Sequence, residues 1–153
     1  MALAEYLCTE TIRMTLESQE REEAVRALLQ SFVTAQGMPD KLVDEALAAV
    51  LDREKLGSTA IGRGVAVPHA RLEELERVHV AFGYSPRGVE FNALDRQPVH
   101  EIFLVIAPRN HTDEYVSVME RITRLVQNAD FRRFVARADT PDEILELVKE
   151  MDR

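Results

Sequence analysis

Apolar residues recur at helical spacing in two stretches of the first third of the chain. One stripe runs through residues 19–35 and is followed by Gly37, a common helix stop. The second runs through residues 42–54, with Asp40 ahead of it as a candidate N-cap. The pattern therefore predicts two amphipathic helices in series, the second ending near Glu54.

Strand patterns, either alternating or continuously apolar, occupy other parts of the chain. The last of them is the most apolar and predicts a central strand that Pro108 ends. Ser-Pro-Arg-Gly at 85–88 predicts a turn, followed by a short strand segment at 89–91. The three clearest predicted strands are residues 11–16, 78–83 and 99–107.

Helical spacing returns in the last third of the chain. Stripes at 115–126 and 131–135 predict a third helix and a short fourth one. Thr-Pro-Asp-Glu at 140–143 is a capping box with proline at the first helical position, and it opens a last helix through Val148. Because strands and helices interleave without strict alternation, we expect an α/β single domain: a mixed (parallel and antiparallel) central β-sheet flanked by helices on both faces.

Composition narrows the class of protein. The 153 residues, 46% hydrophobic and 30% charged, suit one globular domain spanning 1–153. The net charge of −8 disfavours nucleic acid and anionic membrane surfaces as partners. Cys8 can form no internal disulfide, and neither a signal peptide nor an apolar run of ~18 residues is present. We therefore expect a cytoplasmic protein without direct membrane insertion.

The segment 55–70 has a different texture, with three glycines among small and β-branched residues before Pro68 and His69. It predicts a loop and a short strand, with His69 placed where strand pairing stops. An accessible imidazole there could act as a base, ligand or nucleophile; the alternative is a strand-end histidine bonded to a backbone carbonyl. The glycine spacing fits neither a Walker loop nor a dinucleotide fingerprint, which leaves an anion cradle or a plain turn.

Other candidate sites are weaker. The four histidines show no metal-ligand spacing, so no metal is predicted, and His79 and His100 are interpreted as surface or edge residues. Arg53 lies in the charged run 52–55, which is either a solvated helix end or the place from which this arginine reaches an anion near His69. The pattern alone leaves both alternatives open.

Residues 53–70 read Arg-Glu-Lys-Leu-Gly-Ser-Thr-Ala-Ile-Gly-Arg-Gly-Val-Ala-Val-Pro-His-Ala. This segment closely resembles the active-site segment of the enzyme IIA domains of the bacterial phosphoenolpyruvate-dependent phosphotransferase system, fructose–mannitol type. Its Leu-Gly-Ser-Thr sequence is most similar to that of the nitrogen-regulatory branch of this family. The resemblance extends over nearly the whole chain, roughly residues 11–149.

The resemblance implies a phosphocarrier. His69 would accept a phosphoryl group from the phosphohistidine of an HPr-like carrier protein and pass it to a cysteine of an enzyme IIB partner or use it as a regulatory signal. Arg53 would neutralise the phosphoryl oxygens. Hydroxyl and backbone N–H groups would bind the phosphate, and no metal or organic cofactor is implied. The phosphate-binding candidates are Ser58, Thr59, Gly62 and Gly64.

The sequence departs from the family pattern at the second active-site histidine, which usually follows the late strand. His111 lies close to that place, but counting along the helix stripe puts Glu114 there. Either a loop insertion leaves His111 in the pocket, which we expect, or a carboxylate has replaced the histidine and repels the phosphate.

Two functions of different classes remain open at this point. One is a phosphocarrier that serves sugar transport, and the other is a binding-only regulatory module whose protein partners depend on the state of His69. Small apolar residues near His69 are either a rim that partners contact or the core of the short strand. They are Ala60, Ile61, Val65, Val67 and Ala70.

Overall fold

A computed structural model describes residues 1–152, which form five α-helices, six β-strands and three single turns of 3-10 helix. The helices are α1 (Arg21–Gln36), α2 (Val43–Lys55), α3 (Thr112–Gln127), α4 (Ala129–Arg137) and α5 (Pro141–Met151). The strands are β1 (Ile12–Arg13), β2 (Ala60–Gly62), β3 (Val65–Ala66), β4 (His69–Leu72), β5 (His79–Val89) and β6 (Val99–Pro108).

All six strands belong to one sheet, in the order β1-β5-β6-β3-β2, with β4 also paired to β6. The pairs of β1 with β5, and of β3 and β4 with β6, are parallel. The other two pairs are antiparallel. Because β3 and β4 lie one after the other along the same side of β6, residues 65–72 form a nearly continuous segment beside β6, with β2 outside β3 and β4 at the sheet edge.

Helices cover both faces of this sheet, as the alternation along β6 requires. Ile102 and Leu104 illustrate the alternation: both point into a core that α1 and α2 close. Phe103 and Val105 point to the opposite side, into a core that α3, α4 and α5 close. The predicted class, an α/β single domain with a mixed sheet and helices on both faces, is confirmed.

Local chemistry explains where several helices begin and end. Gly37 takes φ +73° directly after α1, a left-handed conformation that suits glycine. Thr140 caps α5 by accepting the Glu143 N–H, and Pro141 occupies the first turn. The N-cap prediction for Asp40 was wrong, because a 3-10 turn starts there and α2 follows without a side-chain cap.

The predicted turn at 85–88 was wrong, because β5 runs through it. The register against β6 shifts between Tyr84 and Val89, which identifies a β-bulge. Gly88 adopts φ +88° there and donates its N–H to Ser85 Oγ. Pairing with β6 on both sides of the bulge keeps the strand continuous, so only the hydrogen-bond ladder is interrupted.

The interpretation of His79 as a surface or edge residue was also wrong. Its side chain is buried, with Nδ1 2.7 Å from Gln36 Oε1. Burial is the main cause that lowers the pKa of His79 to about 4. Since the unfolded chain binds a proton near the ordinary histidine pKa of about 6.5, His79 makes the fold less stable as the pH falls below that value.

Glu101 has the opposite effect on stability. It is 6% exposed, its Oε1 has no hydrogen-bond partner within residues 1–152, and burial raises its pKa to about 7. The folded carboxyl therefore keeps its proton while the unfolded one ionises. As the pH rises from about 4.5 to about 7, the free energy of unfolding falls by roughly 3 kcal/mol at most.

Replacing Glu101 by glutamine should remove that loss. At pH 8.5 we expect E101Q to exceed the wild type in stability by about 2 kcal/mol, and at pH 4.5 the two should be nearly equal. Urea unfolding at both values measures this, with the exposed Glu76→Gln as the matched control. A stability difference independent of pH would contradict the assignment.

Candidate functional site

His69 is the first residue of β4 and pairs with Val105 of β6. The expectation that strand pairing stops at His69 was wrong, since pairing with β6 starts again at this residue. Successive strand residues point to opposite faces, so His69 and Arg71 lie on one face while Ala70 and Leu72 join the core beneath α1 and α2. The edge of the sheet thus presents an imidazole and a guanidinium side by side.

The tautomer of His69 follows from one hydrogen bond. Its Nδ1 lies 2.8 Å from the carbonyl oxygen of Val67. A carbonyl can only accept, so Nδ1 carries the proton and donates it, which leaves the lone pair of a neutral ring on Nε2. The bond to a backbone carbonyl, considered from the sequence as an alternative to chemistry, is therefore present and also leaves Nε2 as the ring nitrogen available to a ligand.

The surroundings of His69 favour the neutral ring. Burial is the largest cause that lowers its pKa, and the nearby Arg53 guanidinium adds to the decrease. The bond to the Val67 carbonyl and the charge of Glu54 act in the opposite direction. The net decrease in pKa keeps His69 unprotonated at neutral pH, the state in which Nε2 can attack an electrophile.

The end of α2 contributes two adjacent residues with different roles. Arg53 is in the last turn, its Nη1 donates to the Gly57 carbonyl at 2.8 Å, and its charge reaches His69. Glu54 is 5% exposed and accepts the Thr59 N–H with both carboxylate oxygens, at 3.2 and 3.0 Å. For Glu54 the solvated-helix-end interpretation was wrong.

Glu54 is a residue whose role the sequence reasoning missed. Its carboxylate closes the loop between α2 and β2, and Arg21 Nη1 approaches it to 3.9 Å. Thr59 in turn accepts the Val67 N–H with its carbonyl, at 3.2 Å. Glu54 is therefore connected to the segment that orients His69 through two hydrogen-bonded steps. An acidic residue at a helix end looks solvent-exposed in sequence, so only the fold discloses this contact.

The two predicted hydroxyl groups differ in availability. Ser58 Oγ donates to the Phe91 carbonyl at 2.6 Å and accepts the Ala60 N–H at 3.1 Å. The hydroxyl proton of Ser58 is therefore already donated to another residue of the protein. Thr59 Oγ1 is buried and has no hydrogen-bond partner in the described part of the chain. Thr59 is hydrogen-bonded through its backbone to Val67, two residues before His69, so this unused buried hydroxyl is a candidate donor for a ligand.

The structure does not bring Gly62 and Gly64 to His69. Gly62 is the last residue of β2 and Gly64 lies in the turn that joins β2 to β3, where its carbonyl accepts the N–H groups of His100 and Glu101. Val65 next to them pairs with Glu101, four residues before the Val105 partner of His69. At about 3.3 Å per residue, that separates the turn from His69 by about 13 Å.

Helix α3 places Tyr115 beside His69, with ring centroids 6.2 Å apart. The Arg71 guanidinium lies 5.1 Å from the centroid of the same tyrosine ring. It also donates to Thr112 Oγ1 at 2.7 Å and to the Arg109 carbonyl. Sequence reasoning missed Arg71 and Tyr115. Arg71 had one available signal, its position two residues after His69, although the sequence predicted that strand pairing stops at His69.

His111 occupies the N-cap of α3, and its Nδ1 lies 3.2 Å from Glu114 Oε1. The other Glu114 oxygen accepts the Tyr6 hydroxyl at 2.6 Å. Both oxygens of this carboxylate are therefore engaged with groups other than His69. His111 and Glu114 form one cluster with the 3-10 turn Leu3–Tyr6, and the placement of His111 in the phosphoryl pocket stays a prediction.

The apolar residues considered as a partner rim are mostly core. Ala60, Val65, Val67 and Ala70 are buried, each at most 7% exposed, whereas Ile61 is 53% exposed. A different apolar surface adjoins Tyr115: a shallow groove along α3. Its lining residues are Tyr115, Val116, Met119, Glu120, Thr123 and Arg124.

These features define a class of protein: an α/β domain that presents, at a sheet edge, a histidine with Nε2 free next to Arg71, with the charge of Arg53 acting on it from the end of α2. Within residues 1–152 no helix is long and apolar enough to cross a membrane. The chain belongs to the EIIA 2 family of the phosphoenolpyruvate-dependent sugar phosphotransferase system, whose sequence model matches residues 5–151. The resemblance stated from residues 53–70 is thereby confirmed.

Relatives include both transport and regulatory proteins. Over 133 residues the chain is 32% identical to a nitrogen regulatory protein of Bradyrhizobium diazoefficiens, covering 87% of this chain and 85% of that protein. It is 30% identical over 153 residues to the PTS system fructose-specific EIIABC component of Bacillus subtilis. That match covers 100% of this chain but only 24% of the longer protein.

Solved structures share the fold across almost the entire chain. The nitrogen regulatory protein IIA-Ntr from Neisseria meningitidis matches with a TM-score of 0.85 and 25% identity, covering 95% of this chain and 98% of that one. Enzyme IIA mannitol from Escherichia coli, in its complex with phosphorylated enzyme IIB mannitol, matches with a TM-score of 0.76 and 28% identity. The coverage is 94% of this chain and 97% of that one.

Proposed function

We propose that this protein is a phosphocarrier that accepts a phosphoryl group on Nε2 of His69 from the phosphohistidine of an HPr-like carrier. The observation that carries the proposal is the Nδ1–H bond to the Val67 carbonyl, which leaves Nε2 as the nucleophile of a neutral ring. Family membership supports the choice of a phosphoryl group as the electrophile.

In the proposed phosphoryl transfer, bond formation and bond breaking balance without a cofactor. Nε2 of His69 attacks phosphorus, the P–N bond to the carrier's imidazole breaks, and that bond's electron pair returns to the carrier's ring nitrogen. The Val67 carbonyl stabilises the positive charge that forms on the His69 ring, because it accepts the Nδ1–H bond. The new P–N bond remains reactive, which suits onward transfer.

Arg53 and Thr59 are the groups we assign to the phosphoryl oxygens. Arg53 brings a guanidinium whose charge reaches His69, and Thr59 brings an unused hydroxyl. Charge-assisted hydrogen bonds from arginine to phosphate oxygens are strong, and they become stronger as negative charge accumulates on those oxygens in the transition state. Ser58 supports the loop instead, while Gly62 and Gly64 lie too far away.

The onward recipient defines the two forms of the proposal. Transfer to a cysteine of an enzyme IIB partner is supported by the related IIA mannitol domain, which was solved with phosphorylated enzyme IIB. Use of the phosphohistidine as a regulatory signal is supported by the nitrogen regulatory relatives. In that second form, the added charge on the His69 edge changes which target protein binds.

Intact-mass spectrometry at alkaline pH tests the proposal. After incubation with phosphoenolpyruvate, enzyme I and an HPr-like carrier, the wild type should gain one acid-labile phosphate on His69. Addition of an enzyme IIB domain then separates the two forms: loss of the phosphate to its cysteine supports transport. A wild type that gains no phosphate from an active carrier rejects the phosphocarrier and favours the binding-only module.

The groove along α3 is the surface we assign to the HPr-like carrier, because it begins at Tyr115, which lies against His69. Val116 is 45% exposed in this groove. Burying a new carboxylate against the carrier costs binding, so Val116→Asp should raise KM for the phosphorylated carrier about tenfold and leave kcat nearly unchanged.

Steady-state phosphorylation at varied carrier concentration measures that effect. The matched control is Phe134→Asp, since Phe134 is similarly exposed at 41% but lies on α4, outside this groove. Equal increases in KM for both variants would show a general effect of added charge and contradict the docking assignment.

A further inference from the structure

Tyr115 and Arg71 form a stacked pair next to the proposed nucleophile. The centroid of the tyrosine ring is 6.2 Å from that of the His69 ring. The Arg71 guanidinium carbon is 5.1 Å from the same tyrosine centroid. An arginine over an aromatic face is attracted to the ring. The ring of Tyr115 therefore contacts the Arg71 guanidinium and lies near the His69 imidazole, both of which come from the same face of β4.

Hydrogen bonds fix this pair in place. Arg71 donates to Thr112 Oγ1 and to the Arg109 carbonyl, so it connects β4 to the first turn of α3. Its Nε is buried without a partner in the described range 1–152. A side chain with several fixed contacts loses little freedom when a ligand arrives, which is the basis of preorganisation.

We propose that the Tyr115 hydroxyl donates a hydrogen bond to a phosphoryl oxygen on His69 and that Arg71 is the positioning residue that holds the tyrosine ring there. This inference rests on the phosphocarrier function proposed above. It assigns a donor from α3 that lies outside the sequence motif of residues 53–70. The donor would stand on the α3 side of the site, where the sequence analysis expected His111.

The electrostatics suit a hydroxyl donor. Burial raises the pKa of Tyr115, although Arg71 and Arg53 each act to lower it. The phenol therefore keeps its proton at neutral pH and can donate. The charges of both arginines act on Tyr115, and that of Arg53 also acts on His69, so a phosphoryl group on His69 would meet positive charge and a neutral donor together.

The first variant is Tyr115→Phe, which removes the hydroxyl and keeps the ring. Rapid-quench phosphorylation by the phosphorylated HPr-like carrier, read by intact mass, should be about tenfold slower than in the wild type. Tyr84→Phe is the matched control, because Tyr84 lies 6.4 Å from the His100 ring in a similar tyrosine–histidine pair elsewhere on the sheet. The control should react at the wild-type rate.

A double-mutant cycle tests Arg71. If Arg71 acts by positioning Tyr115, Arg71→Gln should slow the wild type severalfold but change the rate of the Tyr115→Phe background less than twofold. Nitrogen NMR of His69 should show the Nδ1–H tautomer in all variants, which excludes a disturbed nucleophile. Additive losses would overturn the positioning role of Arg71.

The outcomes separate this inference from the function on which it rests. If the wild type gains phosphate and the Tyr115→Phe variant gains it at the same rate, the Tyr115 assignment is overturned but the phosphocarrier function is not. A tenfold loss in His111→Ala with none in Tyr115→Phe would also overturn it and assign the donor to His111. Wild type that gains no phosphate overturns the phosphocarrier proposal and this inference together.

Discussion

Replacing His69 by glutamine is expected to abolish phosphorylation, with a rate at least a thousandfold below the wild type, while the domain stays folded. An amide nitrogen cannot form the reactive P–N bond, because its lone pair is delocalised into the carbonyl. The His69 ring is half-buried at the start of a strand, so its loss should lower the midpoint of thermal unfolding by only a few degrees.

The measurement is intact mass after incubation with the carrier, together with a thermal melt of the same sample. His100→Gln is the matched control, since His100 also binds a backbone carbonyl through Nδ1, that of Ser85 at 2.7 Å. The control should gain the phosphate as the wild type does. If H69Q still gained an acid-labile phosphate, another residue would be the acceptor and the assignment of His69 would be wrong.

Replacing Arg53 by alanine is expected to slow phosphorylation about a hundredfold, which corresponds to about 2.7 kcal/mol of lost transition-state stabilisation. The cause is the loss of a guanidinium beside the charge that accumulates on the phosphoryl oxygens. Arg53 also lowers the pKa of His69, so the variant should show a higher pKa at this residue. The acid limb of its pH–rate profile should therefore move to higher pH.

Single-turnover rates between pH 5 and 9 check both effects. Arg53→Lys keeps the charge but loses the paired donors, and we expect it to recover the pKa of His69 and part of the rate. Arg26→Ala is the remote control, because Arg26 is an exposed arginine on α1 that pairs with Asp44. A wild-type rate in Arg53→Ala would return Arg53 to the solvated-helix-end interpretation.

Much of the fold could be predicted because hydrophobic spacing reports burial directly. The apolar stripe at 19–35 corresponds to α1, and the apolar run at 99–107 corresponds to the central strand β6. In each case the spacing of apolar residues shows which faces of the element are buried, without knowledge of the elements that cover them. The segment 55–70 was only partly predicted. Two of its short strands, β3 and β4, pair with β6 at residues distant in sequence, and β2 is attached through β3. Local propensity carries little information about such long-range pairing.

The site was predictable where a motif specifies chemistry and unpredictable where tertiary contacts do. Residues 53–70 single out His69 and Arg53 as candidates, and their roles stay predictions. The acceptor that fixes the tautomer, Val67, is a backbone carbonyl and has no sequence signal. Tyr115 was assigned to a helix stripe by its spacing, and only the packing of α3 against β4 brings its ring to His69.

The ends of the described chain lie together. The Leu3 N–H donates to the Asp152 carboxylate at 2.7 Å, and Arg121 holds the same carboxylate at 2.9 Å. A linker of a few residues would therefore close the polypeptide into a ring, and new ends could be opened in the exposed loop around Leu94 without cutting a strand. Such a circular permutant would attach a fused transfer partner at a different side of the sheet, so the reach between His69 and that partner becomes a variable that an engineer can set.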